Sequence, residues 1–166
     1  MKTIRLFILI IALLLIENCE SKYVYLTDQD KEILNLIQTE QFEKLLEHFG
    51  NNIEFDYGSE SYTMFSLKSD KEDYLKGKKS EYYKFIFQLD DFFKEKNWLS
   101  FREALLKAYR VQGENKETND DKTYNRYIHI FTDKSYNRVG LKCIEENKCK
   151  INNLYISSSK AGDVNL

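Results

Sequence analysis

The chain has 166 residues, 25 of them basic and 27 acidic, for a net charge of −2; with no basic excess to hold phosphates, nucleic acid is excluded as an expected partner. It carries 12 Tyr and 11 Phe and no proline, which predicts an aromatic-rich core and rules out a rigid polyproline spacer.

The first stretch reads as an address. Lys2 and Arg5 precede an unbroken apolar run from Leu6 to Ile16, the layout of a bacterial secretory signal. The run is shorter than the roughly 20 residues a membrane-spanning helix needs. Leu15-Ile16-Glu17-Asn18-Cys19 follows and resembles the lipobox of bacterial lipoproteins, in which the cysteine is acylated and becomes the mature N-terminus. Glu17 and Asn18 depart from the usual small residues, as the looser lipoboxes of spirochaetal lipoproteins do. The resemblance implies a signal peptide over 1–18, lipid on Cys19, a short tether over 19–27 and an exported, membrane-anchored place in the cell envelope. The alternatives are an uncleaved anchor or ordinary signal cleavage, with Cys19 incidental. Without the leader the charges stand at 23 basic against 26 acidic.

A single domain is expected over 28–156. Thr27 or Asp28 can cap a helix carrying Ile33, Leu34, Leu36 and Ile37. Thr39 can cap a second, short helix through Phe49, with Gly50-Asn51-Asn52 as its stop. Ile53-Glu54-Phe55 and Tyr62–Leu67 alternate like strands, and Ser69–Leu75 suits a short helical piece. Ser80 starts the strongest helical pattern, in which Tyr82, Phe85, Ile86, Leu89, Phe92 and Phe93 recur at three and four. Another helix is expected over Leu99–Tyr109 with Ser100 as its cap. Gln112–Thr123 has no apolar residue and reads as a flexible loop. The period then changes to two, and Tyr124–Phe131, Arg138–Ile144 and Cys149–Ile156 read as antiparallel strands. Residues 157–166 read as a flexible tail.

Two cysteines remain after Cys19, an even number for an exported protein. A hairpin placing Cys143 opposite Cys149 and Ile144 opposite Lys148 leaves the turn Glu145-Glu146-Asn147, and Asn147 tolerates the left-handed region. Opposed Cα atoms lie about 4.5–5.5 Å apart, within reach of a disulfide. The other reading is a pair of reduced, partly buried thiols. A metal site is not expected, since no second Cys or His pair stands nearby, and no cofactor motif is present.

His48 falls at a helix end, where its charge suits the dipole. Tyr127, His129 and Phe131 share one strand face. His129 is either a satisfied core residue or the polar tip of an aromatic pocket formed by these three. As a base it would need an orienting partner; Glu54, Asp56 and Glu60 are candidates by position alone. Ser59, Ser61 and Ser66 form no nucleophile motif, the glycines form no phosphate loop, and Asp120-Asp121 reads as a solvated turn.

Helices first and an antiparallel sheet last predict an α+β fold, with helices of the N-terminal two-thirds packed on a C-terminal sheet. Phe42-Glu43-Lys44-Leu45-Leu46-Glu47-His48-Phe49, then Ile53-Glu54-Phe55, and the closing Cys149-Lys150-Ile151-Asn152-Asn153-Leu154-Tyr155-Ile156 resemble the NTF2-like fold, a cone of helices against a curved sheet. The long helical middle, Ser69–Tyr109, and only three clear late strands depart from it. That fold hosts enzymes, ligand binders and interaction modules alike. The functional expectation is therefore a non-catalytic, lipid-anchored envelope module that binds a protein partner or supports the envelope. The alternative is a small-ligand or enzymatic pocket around His129.

Overall fold

The computed structural model describes residues 22–58, 60–63, 72–78, 80–89, 94–95, 98–116 and 122–158. The leader, Cys19, Phe92, Phe93, Asp120 and Asp121 lie outside the described residues, as do 159–166.

Local chemistry sets the helices. Strand β1 (Tyr23–Val24) leads into α1 (Asp28–Gln38). Thr27 caps α1 in a reciprocal box: its hydroxyl accepts from the Asp30 N–H at 3.2 Å, and the Asp30 carboxylate accepts from the Thr27 N–H at 2.9 Å. Such a box satisfies two of the donors a helix start leaves open. The short α2 (Phe42–Leu45) runs into a 3₁₀ turn, Leu46–His48. Thr39 closes α1 instead of capping α2, which begins at Gln41 without a side-chain cap. Ser80 caps α3 (Glu81–Phe87), accepting from the Tyr83 N–H at 2.9 Å. The helix pattern expected through Phe93 is described as helix only to Phe87. Ser100 and Glu103 form a second reciprocal box at the start of α4 (Phe101–Lys107).

The strands are β2 (Phe49–Tyr57), β3 (Glu60–Thr63), β4 (Arg110–Lys116), β5 (Tyr124–Phe131), β6 (Ser135–Glu145) and β7 (Lys148–Ser158). They form one sheet in the order β1-β4-β5-β6-β7-β2-β3. The class is α+β, with the helices packed on the sheet. The sheet is mixed where a purely antiparallel one was expected: β1 pairs parallel with β4, and β2 parallel with β7. Bulges interrupt the β2/β7 and β6/β7 ladders, and such bulges bend a sheet.

Four expectations are corrected. Gly50-Asn51-Asn52 is not a stop but part of β2, in the stretch where its register with β7 shifts. Gln112–Lys116 is not loop but the larger part of β4. The tether expected over 19–27 is docked from Tyr23 on, where β1 joins the sheet. The tail expected from 157 begins later, since β7 continues to Ser158.

Alternation then divides the sheet into two faces. Toward the helices point Ile53, Phe55, Val111, Ile128, Ile130, Val139, Leu141, Ile151, Leu154 and Ile156, none more than 1% exposed. Tyr82 of α3, fully buried, stacks on Phe55 with centroids 5.0 Å apart and meets Phe49 edge-on at 5.5 Å. One charged pair sits among these groups. The Arg126 guanidinium grips both Asp30 oxygens, with Nε at 3.0 and 2.8 Å, and reaches Asn115 Oδ1 and the Tyr25 carbonyl, each at 2.6 Å.

Cys143 and Cys149 stand in register and are joined by a disulfide, with Cα atoms 4.0 Å apart. The turn is shorter than expected. Glu145 pairs with Lys148, leaving Glu146-Asn147 as the tip, with Asn147 at φ 61°. The bulge leaves Ile144 out of register and 69% exposed, not opposite Lys148.

Candidate functional site

The sheet face turned away from the core is polar and aromatic. Register builds it strand by strand. Gln112 of β4 stands beside His129 of β5, His129 beside Arg138 of β6, Arg138 beside Tyr155 of β7, and Tyr155 beside Asp56 of β2. Five neighbouring strands thus contribute one transverse row. Two flanking rows carry Glu114 and Tyr127 on one side, and Phe131 and Tyr136 on the other.

His129 is held at both ring nitrogens. Nε2 lies 2.9 Å from Glu114 Oε2, and Nδ1 lies 2.6 Å from the Tyr136 hydroxyl. The arrangement is satisfied by a neutral ring whose Nε2–H donates to the carboxylate and whose Nδ1 accepts the phenol proton. Burial lowers the His129 pKa below its usual 6.5; the Glu114 hydrogen bond and charge oppose this, and Arg138 reinforces it. Burial likewise raises the Tyr136 pKa to about 12. The Tyr136 phenol, held protonated, is not a nucleophile.

Arg138 lies between two rings, its guanidinium carbon 4.9 Å from the Tyr127 centroid and 5.0 Å from that of Tyr155. Such contacts fix the planar cation and stabilise it. Its Nη2 donates weakly to Asn153 Oδ1 at 3.4 Å, and the Asn153 amide donates to Asp56 Oδ2. Three atoms of this row remain without a partner among the described residues: Asp56 Oδ1, Gln112 Oε1 and Arg138 Nε, all buried.

The structure therefore gathers Tyr127, His129 and Phe131 on one face, with His129 4% exposed. Cavities of about 270 Å³ and 230 Å³ lie elsewhere, the first around Phe42 and Tyr74, the second around Leu26 and Leu34; neither is lined by His129. The partner of His129 is Glu114, not Glu54, Asp56 or Glu60. Glu114 was hidden inside the stretch read as loop. Arg138 and Gln112 were missed as well; the strand alternation of β6 places Arg138 beside His129, but the alternation in β4 is masked. His48 ends the 3₁₀ turn, half-buried, 3.4 Å from Gln29 Nε2 and 3.8 Å from Glu32, and burial lowers its pKa. No group of three or more metal-ligating side chains occurs among the described residues. None of the described helices is long and apolar enough to cross a membrane.

Fold and face together define an α+β domain whose sheet is apolar on its inner side and polar and aromatic on its outer side. No family model and no curated protein matches the chain. Solved structures with some likeness include two DUF4783 family proteins. The one from Bacteroides ovatus is 11% identical, spans 76% of this chain and 91% of its own, and has a TM-score of 0.38. The one from Bacteroides uniformis is 11% identical, spans 76% and 93%, and has a TM-score of 0.34. An NTF2-like protein of unknown function from Exiguobacterium is 9% identical, spans 78% and 97%, and has a TM-score of 0.30. Likeness at this level assigns no activity, ligand or partner to this chain.

Proposed function

We propose that the protein is a lipid-anchored module of the bacterial cell envelope, built as an NTF2-like cone, which binds a protein partner through the outer face of its sheet and is not an enzyme. The observation that carries the binding reading is the half-buried centre of this face, where the Arg138 guanidinium lies 4.9 and 5.0 Å from the Tyr127 and Tyr155 ring centroids. Tyr and Arg are the side chains that most often anchor such surfaces. The leader and Cys19 supply the address. Against a catalytic reading stands the burial of His129, 4% exposed, which leaves its ring little access to a substrate.

The test is site-specific photocrosslinking in the native host. A benzoyl-phenylalanine at Tyr127 should give a discrete protein adduct that the same residue at exposed Leu75 does not. Adding Arg138→Met, which removes the cation beside that ring, should weaken the adduct. Identical adduct patterns from the two positions would reject the proposed face.

A further inference from the structure

Four of the six large apolar side chains exposed among the described residues lie toward one edge of the sheet. Tyr23 is 44% exposed, Tyr25 79%, Leu106 56% and Tyr109 60%. They are neighbours in space. Tyr23 pairs with Val111, two residues after Tyr109, and the Lys22 carbonyl accepts from the Val111 N–H at 2.7 Å. The Lys22 ammonium donates to the Leu105 carbonyl at 3.0 Å, beside Leu106, and lies 5.5 Å over the Tyr23 ring. Lys107 and Arg110, both exposed, border the same patch.

We infer that this β1 edge, with Tyr23, Tyr25, Leu106 and Tyr109, is the surface the protein lays on the lipid bilayer. The inference rests on the proposed lipid anchor at Cys19 and adds an orientation to it. The chain length enforces proximity. Four residue steps separate Cys19 from Tyr23, so at full extension their Cα atoms are at most about 14 Å apart. An acylated Cys19 therefore keeps this edge close to the headgroups. The composition suits that place. Tyrosine is enriched where bilayer meets water, and lysine and arginine lay their stems on apolar surface while their charges reach the headgroups. The β1 edge and the β3 edge are opposite ends of the sheet, so a domain resting on β1 stands its outer face upright, open to a partner from the side.

The full-length acylated protein, extracted from its host and reconstituted in phosphatidylcholine–phosphatidylglycerol vesicles, provides the test. Lysine acylation by a membrane-impermeant reagent is read by mass spectrometry. Lys107 labelling should fall about fivefold or more on transfer from detergent to vesicles, as expected for a side chain taken into the interface, while Lys142 and Lys148 stay unchanged. A Tyr23→Ser, Tyr25→Ser, Tyr109→Ser variant should still float with the vesicles but regain the detergent level at Lys107. Protein that floats yet labels alike at all three lysines would overturn the orientation and leave the anchor standing. Protein that does not float would overturn the anchor, and the orientation with it.

Discussion

Arg126→Met should be the most damaging single change on the core face. The side chains of Arg126 and Asp30 are 5% and 1% exposed. The substitution removes every guanidinium bond to Asp30 together with those to Asn115 and Tyr25. Asp30 keeps the Thr27 N–H at 2.9 Å, which is too little for a buried carboxylate. Breaking one side of such a pair costs about 3–5 kcal/mol because the remaining charge is stranded. For a domain of this size that is a fall in Tm of about 10–15 °C. The release of the Tyr25 carbonyl should also loosen β1, so that the Val111 amide, bonded to Lys22, exchanges its hydrogen faster. Adding Asp30→Asn removes the stranded charge and should recover about 1–3 kcal/mol of the loss. Thermal and urea unfolding followed by circular dichroism measure all three proteins. A single variant within about 1 kcal/mol of wild type would show that this pair does not hold the N-terminal strand and α1 to the sheet.

Other perturbations test the same structure. Gly113→Ala would put a Cβ 2.3 Å from Arg126 Nη2 and 2.4 Å from the Tyr25 carbonyl, and should lower Tm nearly as far as Arg126→Met. Folding holds the pKa values of His129 and His48 below 6.5, so the unfolded chain takes up protons first as pH falls. Stability should be full above about pH 6.5 and decline below it, and a melting series from pH 7.5 to 5 should flatten with His129→Gln. Tyr136, raised to about 12, acts in the opposite range, with stability lost as pH climbs past its usual 10. Reducing the Cys143–Cys149 bond should cost no more than about 2 kcal/mol, since the loop it closes is short; complete unfolding on reduction would contradict a bond that only fixes hairpin register.

The legible parts of this sequence are those whose local chemistry agrees with their tertiary place. Thr27, Ser80 and Ser100 cap helices as their positions suggest, and β5 and β7 are legible because Ile128 and Ile130, and Ile151, Leu154 and Ile156, line their inner side. β4 was illegible for a specific reason. Its inward positions after Val111 are Gly113 and Asn115, and the space above Gly113 is taken by the Arg126 guanidinium instead of an apolar side chain. A strand that packs against an ion pair carries no hydrophobic period. With β4 unread, Glu114 could not be joined to His129, nor Gln112 to the outer row. β1 was hidden by its length of two residues and its parallel pairing, and the Gly50-Asn51-Asn52 segment by lying where the register of β2 with β7 shifts. Arg138, flanked by Tyr127 and Tyr155, emerges only when three strands are set in register.

The address decides which partners the outer face can meet and which surface the β1 edge can rest on. Its most direct measurement is the intact mass of the protein extracted from its own membranes, taken with and without reduction and alkylation. The account predicts loss of Met1–Asn18, added acyl chains on Cys19, and alkylation of Cys143 and Cys149 only after reduction. An unmodified Cys19, with Cys143 and Cys149 open to alkylation from the start, would contradict it.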